Sequence, residues 1–239
     1  MERNKTQMII ESGLRSIAAS FPVFASLATG WSEYKNIKQE ERIYHILEEF
    51  GRYLTEIKNN IDQDYIKSDE AKRLIEQTIN KGKDELREEK RRQLASFLSN
   101  ASTKELSWDN EKDMVLDTIS KLSPMQVEIL KIITENLVLT RGQDNVKLGS
   151  NYDADSTERP TFGYVTESSL VNLMLKFDTV ENIESSLDYM LAIGIIEGAN
   201  SRGWTRVGLK TGIRGFRPTK LGIKTLRYLG TDIEQMHVE

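Results

Sequence analysis

Arg202, Arg206, Lys210, Arg214 and Arg217 recur every three or four residues through a stretch that also holds Trp204 and glycines at 203, 208, 212 and 215. No Asp or Glu falls between Gly198 and Thr231, where Lys220, Lys224 and Arg227 add further cations. The chain as a whole is acidic, with 33 Lys and Arg against 37 Asp and Glu and a formal charge of −4. Basic side chains spaced in this way can lie along phosphates or reach into a minor groove, with an affinity that falls as salt rises. An indole among them can stack or wedge. The competing reading is a solvated polar ribbon turning at its glycines.

Other chemistries find little to use. The 239 residues contain no cysteine, which excludes disulfides, thiolate zinc sites and cysteine nucleophiles. His45 and His237 are the only imidazoles, far apart in the chain. Phosphate-cradling glycine loops, the nucleophile elbow and the H-E-x-x-H pattern are all missing. The acidic pairs Asp62/Asp64 and Asp153/Asp155 are expected in loops as turn caps. These features predict a protein that is not an enzyme, with no catalytic residue, cofactor or metal.

The elements around the basic stretch follow from periodicity. Ile43, Leu47, Phe50, Leu54, Ile57 and Ile61 alternate by four and three, a heptad seam on a helix from about 34 to 61. Its expected partner is the segment 68–101, with Ile75, Ile79, Leu86, Leu94, Phe97, Leu98 and Ala101 in a looser stripe, weakened near Gly82. A helix near 109–122 would use Val115, Ile119 and Leu122. At "SPMQ", Ser123 caps, Pro124 opens and Gln126 completes a capping box, so a helix runs to about Asn136 with Val127, Leu130, Ile133 and Leu137 inward.

Residues 140–163 lack helical period and read as a long loop. Beyond it come a helix capped by Thr166, a second with Asp178 and Glu181 as its cap, and a strand beginning at Ile195. The basic hairpin follows, then a last helix capped by Thr219 with Leu221, Leu226 and Leu229 available for the core.

The uncharged run 16–32, "SIAASFPVFASLATGWS", is short for a membrane span and is broken by Pro22. It is expected inside the bundle. A further reading releases it to place Phe21, Phe24, Leu27 and Trp31 at a membrane surface.

The ending "GFRPTKLGIKTLRYL" resembles the last wing strand and closing helix of bacterial winged-helix proteins, over about 123–230. More broadly, the apolar segment, "EEKRRQLASFLSN", "LSPMQVEILKII" and the terminal domain are similar to helical-bundle plus winged-helix proteins of bacteria and prophages, some of them defence-associated. These resemblances imply a mainly α, cytoplasmic protein. A bundle of long antiparallel helices would occupy 1–121, and a winged helix with a small β-hairpin 122–231, before a tail at 232–239.

In such a domain the helix from Asp178 to Ile196 would face the major groove. It holds Glu181, Glu184 and Asp188 and no Lys or Arg, so Asn182, Ser185, Ser186 and Tyr189 would be left to read base edges. Two readings stay open. Either the wing alone meets DNA backbone, or the acidic helix and basic hairpin complement each other across a self-association or partner interface. The bundle is expected to form a homo-oligomer or hold a protein partner.

Overall fold

The four-three alternation of Ile43, Leu47, Phe50 and Leu54 lies on helix α1, Ile37–Glu56, and all four side chains are buried. Ile46, off that seam, is buried too, so the inward face is wider than two positions per heptad. The computed structural model describes residues 37–142, 165–175, 178–200 and 214–231. Within them the chain is mainly helical, with one small antiparallel sheet. It divides into two compact units, Met1–Pro124 with Arg227–Thr231, and Met125–Leu226 with Asp232–Glu239.

In the first unit, α1 stops at Glu56, earlier than the seam predicts. Lys58–Asn60 form a 3-10 turn, and Ile61 pairs through its backbone with Thr103. Asp62 then caps the short α2, Gln63–Ile66, its Oδ1 accepting from the amides of Asp64 and Tyr65 at 3.0 Å each. Asp62/Asp64 is therefore a cap, as its loop position suggests.

Segment 68–101 is two helices, α3 (Asp69–Gly82, capped by the Ser68 hydroxyl) and α4 (Glu88–Ala101). Between them the Glu85 carboxylate accepts from both the amide and the guanidinium of Arg87 at 2.9 Å, a local bond that competes with the helix. Leu86, expected on the inward stripe, is consequently 74% exposed. His45 faces Glu88 and Glu49 faces Arg92, so α1 and α4 run in the same direction. Gln39 and Arg42 reach Asp84 and the Lys83 carbonyl, just past the end of α3, so α3 runs the opposite way. The antiparallel arrangement expected throughout holds for α3 and fails for α4, which packs most extensively against α1. Helix α5, Lys112–Lys121, buries Val115 and Ile119 as predicted, with Leu122 just beyond its end.

In the second unit, α6 spans Pro124–Gly142, longer than predicted, with Val127, Ile129, Leu130 and Ile133 buried. It takes in the first positions of the expected loop, whose remainder, 143–163, lies outside the described residues. A two-residue strand, β1 (Val165–Thr166), precedes α7 (Glu167–Met174) and was not legible in so short a stretch. Helix α8, Val180–Ala192, is capped by the Thr179 hydroxyl and not by Asp178. Asp178 Oδ1 instead accepts from the Thr179 amide and the Asn182 side chain, both at 2.7 Å.

Helix α8 ends where Gly194 takes φ +74°, with Gly194 N–H bonded to the Leu191 carbonyl and Ile195 N–H to that of Met190. This is a Schellman closure, which needs a residue at ease in the left-handed region. It sets the start of β2, Ile196–Asn200, which pairs with β3, Arg214–Pro218, in a sheet ordered β1-β3-β2. Thr219 then caps α9 (Lys220–Tyr228), donating its hydroxyl to the Gly194 carbonyl at 2.8 Å and accepting from the Gly222 amide at 3.2 Å. A Cβ on Gly222 would lie 2.2 Å from the Ile195 carbonyl oxygen, so only glycine lets α9 begin there. Of the three leucines expected inward on α9, Leu226 is buried and Leu221 and Leu229 are half-buried.

No helix among the described residues is long and apolar enough to cross a membrane. The run 16–32 lies outside them.

Candidate nucleic-acid interface

Strands β2 and β3 pair from Ile196↔Pro218 to Asn200↔Arg214, so the segment 201–213 leaves and rejoins the sheet at one end. Arg202, Trp204, Arg206 and Lys210 belong to that segment and lie outside the described residues. Arg214 opens β3 opposite Asn200, and Arg217 stands opposite Glu197. The Arg217 Nε donates to the Glu197 carboxylate across the ladder. Of the predicted phosphate contacts, Arg217 is thus one whose charge already meets an anion on the neighbouring strand, an arrangement that also steadies the hairpin.

Helix α8 buries Ile183, Leu187 and Met190 and turns outward Glu181, Asn182, Glu184, Ser185, Asp188 and Tyr189. The three acids fall at i, i+3 and i+7, one stripe along the exposed side. Asn182, a candidate for reading base edges, spends its amide on Asp178, whose carboxyl that bond holds below the usual carboxylate range. The outward surface of α8 therefore presents carboxylates.

Sequence reasoning missed the apolar side chains beside this stripe. Leu173 is 42% exposed and Leu175 49%, at the end of α7, and Val180 is 37% exposed at the start of α8. The available signal was their position off the buried Leu170/Met174 spacing, four apart on α7.

A polar cluster in the first unit was also unforeseen. Asp62 Oδ2 accepts from the Ser107 hydroxyl at 2.6 Å and the Trp108 indole N–H at 3.0 Å. Those bonds, with the Ser107 hydroxyl foremost, hold its carboxyl below the ordinary range. The buried Lys112 amine lies 3.7 Å from the Tyr65 ring centroid, donates to the Ser107 carbonyl and reaches Glu70 at 3.3 Å. Burial pulls its pKa down and pushes that of the Tyr65 phenol up.

Ser107 already gives its proton to a carboxylate engaged in capping, and Lys112 is enclosed, so the cluster braces the turn before α5. Lys90 plays a similar part at the other end of α5. It is 1% exposed and donates to the carbonyls of Ile119 and Leu122, where the helix dipole is negative. Its desolvated amine is pulled down to about 8. An open hollow of about 500 Å³ beside the α3–α4 connection is lined by Lys81, Asp84, Glu85, Leu86 and Arg87. Its charges are largely spent on neighbours, Lys81 on Asp117 and Arg87 on Glu85.

Among the described residues no three metal-ligating side chains gather at a common point. No protein family, curated protein or solved structure matches the chain.

Proposed function

We propose that the chain is a non-catalytic binding protein whose second unit is a winged helix contacting nucleic-acid backbone through Arg202, Arg206, Lys210 and Arg214, with Trp204 among them. The observation that carries this reading is the place of the acid-free segment, which connects two paired antiparallel strands directly after α8 and before a Thr-capped closing helix. The order α6, α7, α8, β2, β3, α9 supports the winged-helix resemblance, with β1 added along the edge of β3. The carboxylate stripe on α8 opposes base reading in a major groove, so the contact is with backbone and carries little sequence preference.

The helical first unit is the part that associates or receives a protein signal, a role supported by Trp108 at 59% and Met114 at 45% exposure. A second reading, in which the winged helix binds a protein partner, is favoured by Leu173, Leu175 and Val180 beside the acids of α8. The test is a gel shift of duplex DNA at low salt with Arg206→Glu combined with Arg214→Glu. Binding by the native chain and its loss in the variant support the backbone contact. Equal binding by both, or none by either, removes it.

A further inference from the structure

Helix α9 begins in one unit and ends in the other. Lys220 to Leu226 belong to the second unit, and Arg227 and Tyr228 to the first. Leu226 of the second unit and Tyr228 of the first are both fully buried, two residues apart on one helix. The start of α9 is fixed by groups of the second unit, since Thr219 donates its hydroxyl to the Gly194 carbonyl and Gly222 lies against the Ile195 carbonyl oxygen.

Its end is fixed by groups of the first unit, on α4 and in the turn before α5. The Tyr228 ring lies 5.3 Å from that of Phe97 between centroids, and its hydroxyl donates to Asp109 at 3.1 Å. Asn100 Nδ2 donates to the Tyr228 carbonyl at 3.2 Å and Ser96 Oγ to that of Leu229 at 3.1 Å. These bonds satisfy carbonyls that a helix end leaves without an intrahelical partner. Gly230 follows at φ +74°, where a Cβ would lie 3.1 Å from Asn100 Nδ2. The same helix α4 holds the chain shortly before it leaves the first unit after Pro124, through Lys90 and the carbonyls of Ile119 and Leu122.

Helix α9 has nine residues, and isolated helices shorter than about 12 residues are marginal in water. When either unit unfolds, α9 loses the groups that fix one of its ends, and the part left to the other unit is shorter still. We infer that α9 couples the two units, each fixing one end of a helix that neither keeps folded without the other, so that both unfold as one cooperative body. Whatever stabilises either unit then stabilises the other by linkage. This coupling rests on the contacts of α9 and is independent of the nucleic-acid reading.

The test follows each unit separately in the full-length chain by pulsed hydrogen exchange across a urea series, read by mass spectrometry on peptides of α5 for the first unit and α8 for the second. Coincident midpoints are expected. Ile75→Val, a small deletion in the core of the first unit, lowers both midpoints equally. Tyr228→Ser with Asn100→Ala releases the end of α9, and in that background Ile75→Val lowers the α5 midpoint alone. Should the released chain fail to fold, Ser96→Ala with Asn100→Ala removes only the two carbonyl bonds, and there the α8 midpoint follows Ile75→Val less than in the native chain. Separate midpoints in the native chain, an α8 midpoint that does not move with Ile75→Val, or equal shifts retained once those contacts are gone would overturn the inference.

Discussion

Apart from the Glu197–Arg217 and Glu128–Lys131 pairs of the second unit, the two units use charge in opposite ways. In the first, ionic groups are turned on one another or on the backbone. Arg73 meets Asp113 and Lys81 meets Asp117, tying α3 to α5, while Lys90 and Lys112 bury their amines against carbonyls. In the second, the acids of α8 stand along an exposed stripe with no cation on their own helix. Charge placed inside specifies one packing, because leaving its partner unpaired is costly. Charge left outside adds little to stability. The difference separates charge that holds the fold together from charge that does not.

The largest effect should come from breaking the internal use of charge. Lys112→Ala removes a buried stem and leaves the Ser107 carbonyl and the Tyr65 ring face without their cation. A loss of about 3 kcal/mol is expected from cavity and unsatisfied polar group together, measured as a shift in urea midpoint.

Next comes a pH dependence. Folded, the Lys90 amine releases its proton near 8, whereas its ordinary value is 10.5. Between these the unfolded chain holds the additional proton, so stability rises with pH through that window. Lys112 is pulled the same way. Burial raises the phenols of Tyr65 and Tyr228, and unfolded phenols ionise near 10, so the rise turns over above pH 10. Urea midpoints should therefore climb from about pH 8 to pH 10. In Lys90→Met that climb flattens. A native profile that is level or falling over this range would contradict the account of Lys90.

The smallest effect sharpens the contrast. Glu181→Gln with Glu184→Gln should leave the urea midpoint within about 0.5 kcal/mol of the native chain, since exposed positions with no packing role rarely matter more. A loss several times larger would show that the stripe is used within the fold.

These differences in burial also explain what the sequence allowed one to read. The seam of α1, the Ser-Pro start of α6 and the Thr219 cap were legible because each rests on residues a few positions apart. The direction of α4 was not, since it depends on a five-residue connection held open by Glu85 and Arg87 and on long-range contacts such as His45 with Glu88. Lys90 lies in a mixed-charge stretch that reads as a solvated helix face, and its burial depends on the end of a helix 29 residues away. The basic segment was legible as composition, and its position between β2 and β3 agrees with the expected hairpin. The ion pair that occupies Arg217 required the register Glu197↔Arg217, which composition does not contain.

The central claim is that the cations of the β2–β3 connection meet phosphate without reading sequence. Fluorescence anisotropy of the full-length chain on two unrelated duplexes, titrated across a salt series, tests it most directly. If Arg202, Arg206, Lys210 and Arg214 each displace a counterion, log K falls against log salt with a slope of about −3.6, the same for both duplexes. Arg206→Glu with Arg214→Glu lowers the magnitude of that slope by about two contacts' worth. Undetectable binding at low salt, or a slope unchanged by those substitutions, would contradict the account.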